Sequence, residues 1–79
     1  MTFHYQDSYL HAEQVSLQHI ASAHGTPSFV YSRYLIEAAF DQLDRAFANR
    51  PHQICYAVKA NSNLAILGIL ARCGAGFDI

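Results

Sequence analysis

Lysine is almost missing from this chain: Lys59 is the only one in 79 residues. Tryptophan is absent altogether, and charged residues make up only 14% of the sequence. So little charge beside 52% hydrophobic residues excludes a disordered, self-repelling segment. The net charge of −1 leaves no basic field for a nucleic acid or an acidic membrane surface, so neither is expected as a partner. Two cysteines, Cys55 and Cys73, stand far apart and form no CxxC pair. They do not make a secreted disulfide scaffold and read as reduced thiols. The longest apolar run, Leu64 to Ala71, is too short to span a bilayer. The segment Met1-Thr2-Phe3-His4-Tyr5-Gln6-Asp7 has neither the basic start nor the apolar core of a signal peptide. A cytoplasmic protein is the expectation. His4, His11, His19, His24 and His52 show no ligand spacing such as HxxxH, so no metal site is expected.

What is present falls into two parts. Phe3-His4-Tyr5 and Tyr9-Leu10-His11 read as two short strands around the polar turn Gln6-Asp7-Ser8. A short helix follows through His24. Ser16 is its expected N-cap, Val15 and Ile20 its hydrophobic staple, and Gly25 with Pro27 its stop. From Pro27 onward strands and helices alternate. Ser28-Phe29-Val30-Tyr31 is aromatic and β-branched and predicts a strand. Ser32 can cap a helix over 33–48, where Leu35, Ile36, Ala39, Phe40, Leu43, Ala46 and Phe47 recur on one face. Glu37, Asp41, Asp44 and Arg45 hold the solvated face, and Asn49-Arg50-Pro51 ends the helix. A strand beginning near Ile54 precedes a second helix, Leu64 to Arg72, with Asn61 or Ser62 as its cap and Gly74 as its stop. Gly76-Phe77-Asp78-Ile79 begins a third strand. Strand starts near 28, 54 and 77 have the spacing of βα units in a parallel sheet or barrel.

The single lysine lies in Ile54-Cys55-Tyr56-Ala57-Val58-Lys59-Ala60-Asn61, which otherwise reads as a buried strand. With period 2, Ile54, Tyr56, Val58 and Ala60 face one way, and Cys55, Ala57 and Lys59 the other. Small residues beside the amine leave room next to it. A desolvated lysine loses part of its preference for charge, and the neutral amine is a nucleophile toward carbonyl carbons. On the strand pattern alone, a lysine snorkelling out at a strand end accounts for the residue equally well. Cys55 reads as a small interior filler. Gly74-x-Gly76 is a helix stop before a strand, whereas a phosphate loop needs strand, glycines and helix in that order. Phe77-Asp78-Ile79 reads as a strand interrupted midway. The chain is therefore expected to be the N-terminal piece of a larger α/β protein and to be inactive alone.

Tyr56-Ala57-Val58-Lys59-Ala60-Asn61 closely resembles the lysine motif of the pyridoxal-phosphate-dependent decarboxylases that share a fold with alanine racemase. Gly74-Ala75-Gly76-Phe77-Asp78-Ile79 is similar to the next strand of that group. Alanine racemase itself usually carries an acidic residue and a Tyr-Gly-His-Gly stretch soon after the lysine. Ala60-Asn61-Ser62-Asn63 stands there instead, which favours the decarboxylases. Leu10 to Leu17 and Gly25 to Tyr31 look most like the branch of the family that acts on diaminopimelate.

The resemblance implies the N-terminal part of a (β/α)8 barrel, residues 27–79, with a β-rich second domain in the full-length protein. Residues 1–26 would associate with that second domain. It also implies that Lys59 binds pyridoxal phosphate covalently at the C-terminal mouth of the barrel, with Asp78 near the cofactor and the amine. A plain helix-capping aspartate is the alternative for Asp78. The implied reaction is decarboxylation of meso-2,6-diaminopimelate to L-lysine, a small-molecule amino-acid chemistry carried out by a homodimer. A related decarboxylase of ornithine, arginine or another diamino acid is the runner-up, and a non-catalytic single-barrel carrier of the cofactor stands beside it. A short natural protein using these units for association is the third reading.

Overall fold

Turns and loops cut the chain into short elements, and a side-chain cap starts each α-helix among the described residues. The computed structural model describes residues 2–79. In chain order the elements are β1 (Phe3–Gln6), β2 (Tyr9–Ala12), β3 (Val15–Ser16), α1 (Leu17–His24), α2 (Arg33–Ala46), β4 (Cys55–Ala57), α3 (Leu64–Cys73) and β5 (Gly76–Asp78). The result is a small α/β protein with one antiparallel and one parallel sheet. The chain divides into two compact units, one ending at Leu35 and the other running from Ile36 to Ile79. No helix among the described residues is long and apolar enough to cross a membrane.

In the first unit β1 and β2 form the expected hairpin, with Gln6 opposite Tyr9 and Phe3 opposite Ala12. Asp7 and Ser8 both take positive φ, 53° and 70°, as a two-residue turn of right-handed twist requires. Glu13, at φ 57°, turns the chain again, and β3 pairs antiparallel with β2. This third strand is too short to leave a periodic signature, and the sequence reading missed it. Ser16 caps α1 as expected, its Oγ accepting the His19 N–H at 3.1 Å. Gly25 stops the helix at φ 82° and donates its N–H to the Ala21 carbonyl at 2.8 Å. Val15 and Ile20, the expected staple, line one groove.

The predicted strand 28–31 does not form. Residues 28–32 join no ladder among the described residues, and Phe29 is 90% exposed. Aromatic and β-branched composition reports fitness for a pleated surface, whereas a strand exists only where a partner accepts its backbone groups. Ser32 is the buried polar residue that starts α2. Its Oγ accepts the Leu35 N–H at 3.1 Å and donates to Glu13 Oε2 at 2.8 Å. The same carboxylate oxygen accepts the Tyr34 N–H at 3.0 Å. The Tyr34 N–H, and after it the Ser32 hydroxyl, hold the Glu13 carboxyl below its ordinary value.

In the second unit α2 closes at Ala46 rather than at residue 48. Ala48, at φ 52°, takes the left-handed position and donates its N–H to the Arg45 carbonyl at 2.9 Å. No glycine marks this stop, so the sequence placed it late. The expected solvated face is paired: Arg45 Nε lies 3.0 Å from Asp41 Oδ2, one helical turn away and well exposed. Asp44 is bound instead to His52, whose Nε2 lies 2.6 Å from Asp44 Oδ1 while its Nδ1 meets the Arg50 carbonyl at 2.7 Å. The imidazole stacks on Phe47 at 4.8 Å between ring centroids. The Arg50 carbonyl and then the Asp44 carboxylate raise the His52 pKa above its ordinary 6.5.

Because the folded value is raised, the stabilisation from this contact is complete below pH 6.5 and fades as pH climbs through the folded value. A proton NMR titration of His52 is expected to show an upward-shifted midpoint, and Asp44→Asn should lower that midpoint toward the ordinary value. An unchanged midpoint in Asp44→Asn would remove the carboxylate from the explanation.

Two further corrections concern α3. Its cap is Asn63, not Asn61 or Ser62: Asn63 Oδ1 accepts the Ala65 N–H at 2.9 Å. Asn61 stands one step behind, its Oδ1 accepting the Asn63 N–H at 3.0 Å. With three candidate caps in three consecutive residues, the sequence did not distinguish them. Gly74 stops the helix as expected, at φ 100°. Ile66 and Leu70, one turn apart on α3, are the buried apolar residues of this unit. β5 then pairs parallel with β4, Cys55 opposite Gly76, Tyr56 opposite Phe77 and Ala57 opposite Asp78.

Candidate cofactor site

Lys59 stands just beyond the C-terminal end of β4. The strand ends at Ala57, and Val58–Ala60 form a single 3-10 turn closed by the Asn61 N–H on the Val58 carbonyl at 3.1 Å. The expected strand through residue 60 is thus too long, and the alternation that put Lys59 on the face of Cys55 stops two residues earlier. Period-2 reading continued past Ala57 because Val58 is β-branched and nothing in the sequence marks the turn. The Lys59 side chain is exposed and enters no ion pair or hydrogen bond among the described residues.

The turn carrying Lys59 is fastened at both ends. The Tyr56 hydroxyl donates to the Asn61 carbonyl at 3.0 Å, spanning Val58, Lys59 and Ala60. Asn61 hands the chain on to Asn63 and so to the first turn of α3. The Tyr56 ring meets Phe77 edge to face at 6.5 Å between centroids. Asp78 follows Phe77 directly and pairs in register with Ala57, two residues before Lys59. Both candidate site residues therefore lie at the C-terminal end of the same parallel ladder. The structure does not join them by an ion pair among the described residues.

Cys55 is exposed rather than interior. Its Sγ instead crowds the backbone across the ladder: a Cβ at Gly76 would lie 3.0 Å from Cys55 Sγ and 3.0 Å from Gln53 Nε2. That close approach, rather than any special φ, explains why a glycine suits this register position. The sequence reading passed over Tyr56 and Asn61 as contributors to the site. Their signal was available in retrospect, a tyrosine and an asparagine bracketing the only lysine.

A family model described as pyridoxal-dependent decarboxylase, pyridoxal binding domain, matches residues 33–79, more than half of the chain. The chain is 56% identical over 78 residues to a diaminopimelate decarboxylase of Pseudomonas aeruginosa, covering 99% of this chain and 19% of that protein. It is 54% identical over 78 residues to the diaminopimelate decarboxylase of Vibrio cholerae, covering 98% and 19%. A third relative, the diaminopimelate decarboxylase of Archaeoglobus fulgidus, is 40% identical over 77 residues, covering 98% and 18%. The chain spans about a fifth of the length of these relatives. The lysine turn, the β4–β5 ladder and Asp78 all fall within the matched residues, and the chain belongs to the pyridoxal-dependent decarboxylase family.

Proposed function

We propose that this chain is the lysine-bearing part of an enzyme that decarboxylates meso-2,6-diaminopimelate to L-lysine and carbon dioxide. The observation that carries the reading is the sole lysine on a fastened turn at the C-terminal end of a parallel strand, inside a family-matched segment. The substrate follows the relatives, which are diaminopimelate decarboxylases at 40% to 56% identity. On this reading residues 27–79 are the opening βα units of a (β/α)8 barrel, whose sites gather at the C-terminal ends of its strands. Residues 1–26 associate with a β-rich second domain, and the working protein is a cytoplasmic homodimer.

Pyridoxal phosphate, the cofactor of the family, presents an aldehyde, and Lys59 presents an exposed, unengaged primary amine. The residues fit the group. Lys59 would hold it through a bond from Nζ to the aldehyde carbon, formed with loss of one water. When bound, the cofactor supplies an electron sink for the carbon–carbon bond that breaks. Lys59 has two tasks set by its own protonation: the neutral amine attacks carbon, and the ammonium holds a proton that it can give up. The Asp78 carboxylate stands at the same end of the ladder.

Given meso-diaminopimelate, the full-length protein should release carbon dioxide and L-lysine. Its kcat/KM for ornithine or arginine should be lower by about a hundredfold or more, since a site built to pair a charged group rejects analogues lacking it. Comparative turnover in a coupled assay measures this. Faster turnover of ornithine would transfer the protein to the runner-up substrate.

A further inference from the structure

We infer that Tyr56 is a positioning residue for Lys59, setting the place of the amine before the cofactor arrives; this rests on the assignment of Lys59 as the cofactor lysine. Lysine has four rotatable side-chain bonds, so the position of Nζ is only as well defined as the backbone that launches it. Here that backbone is a single 3-10 turn, a short element with weak internal geometry. One backbone hydrogen bond, from the Asn61 N–H to the Val58 carbonyl, closes it from within.

The Tyr56 hydroxyl closes it from outside. It reaches over the three residues of the turn to the Asn61 carbonyl at 3.0 Å, and this contact is partly buried. Tyr56 itself is held at two points. Its backbone sits in the β4 ladder opposite Phe77, and its ring meets the Phe77 ring edge to face. The phenol is therefore a strut from the ladder that carries Asp78 to the far end of the turn that carries Lys59. Asn61 extends the brace, since its side chain accepts from Asn63, which in turn caps α3. Phenylalanine would preserve the ring contact and the strand while removing only the strut. Tyr56→Phe thus isolates the hydroxyl.

The experiment is performed on the full chain stripped of cofactor. Pyridoxal phosphate is added, and attachment is followed by visible absorbance. The bond from Nζ to the aldehyde carbon forms as one water leaves. Tyr56→Phe should slow attachment and raise the dissociation constant by about fivefold to tenfold, the equivalent of one hydrogen bond. The induced circular dichroism of the bound cofactor should also lose intensity per mole, because a loosened turn no longer fixes the amine in one orientation. Ile69→Val, which removes a methylene from α3 and leaves the Tyr56–Asn61 hydrogen bond in place, is the control. Wild-type attachment and dichroism in Tyr56→Phe would overturn the inference, as would an equal loss in Ile69→Val. A label that maps away from Lys59 in the wild-type protein overturns the cofactor assignment itself, an outcome distinct from both.

Discussion

Lys59→Ala is expected to abolish covalent attachment of pyridoxal phosphate and to reduce decarboxylation in the full-length protein by several orders of magnitude. Cys55→Ala should leave both intact. The expectation follows from supply as well as geometry. Lys59 is the only primary side-chain amine in these 79 residues. It is exposed, it forms no ion pair among the described residues, and it stands at the end of the parallel ladder where βα folds place their chemistry. An alanine cannot form the bond, and no neighbouring residue here can replace an amine. Cys55, though exposed and only four residues earlier, lies at the opposite end of its short strand beside Gly76. Absorbance of the bound cofactor and carbon dioxide release read the two variants directly. A Lys59→Ala protein that retained the visible band would place the attachment elsewhere.

The second large effect concerns stability. Leu70→Ala should cost the full-length protein about 2–3 kcal/mol, the lower part of the range for a truncated core leucine. Leu70 is 8% exposed, and with Ile66 it supplies the buried apolar surface of the second unit. No side chain among the described residues is wholly buried, so neighbours can close partly over the vacancy, which keeps the cost from the upper end. Backbone bonds at this position survive the change, including the Ala75 N–H on the Leu70 carbonyl at 3.0 Å. Ile66→Val, which deletes one methylene from the same face, should cost about 0.5–1.5 kcal/mol. Denaturant midpoints at constant slope measure both. Equal stability of Leu70→Ala and the wild type would mean that α3 is not anchored through this face.

Wherever a terminus is fixed by a single well-placed side chain, the sequence was readable. Ser16, Ser32, Gly25 and Gly74 mark helix ends by chemistry that has few alternatives, and each does in the structure what its type implies. The hairpin was readable for the same reason, since Asp7 and Ser8 tolerate the positive φ that its two-residue turn demands. Where several residues could serve, or where the deciding partner is distant, the reading failed. Asn61, Ser62 and Asn63 are all competent caps, and Asn63 is the one that caps α3. Ser28 to Tyr31 has strand composition but no ladder. Glu13 reaches Ser32 and Tyr34 across about twenty residues, a relation no local pattern encodes. At the site, a strand leading toward Lys59 and a parallel partner carrying Asp78 were legible. The turn that carries it and the Tyr56 brace were not, because both depend on where the ladder stops.

On the proposed reading, Lys59 is the residue that holds the cofactor. Borohydride reduction of the full-length protein in the presence of pyridoxal phosphate, followed by proteolysis and peptide mass mapping, tests it most directly. The expected result is one phosphopyridoxyl group per chain, on the peptide containing Tyr56-Ala57-Val58-Lys59-Ala60-Asn61. A stoichiometric label on any other residue, with Lys59 unmodified, would contradict it.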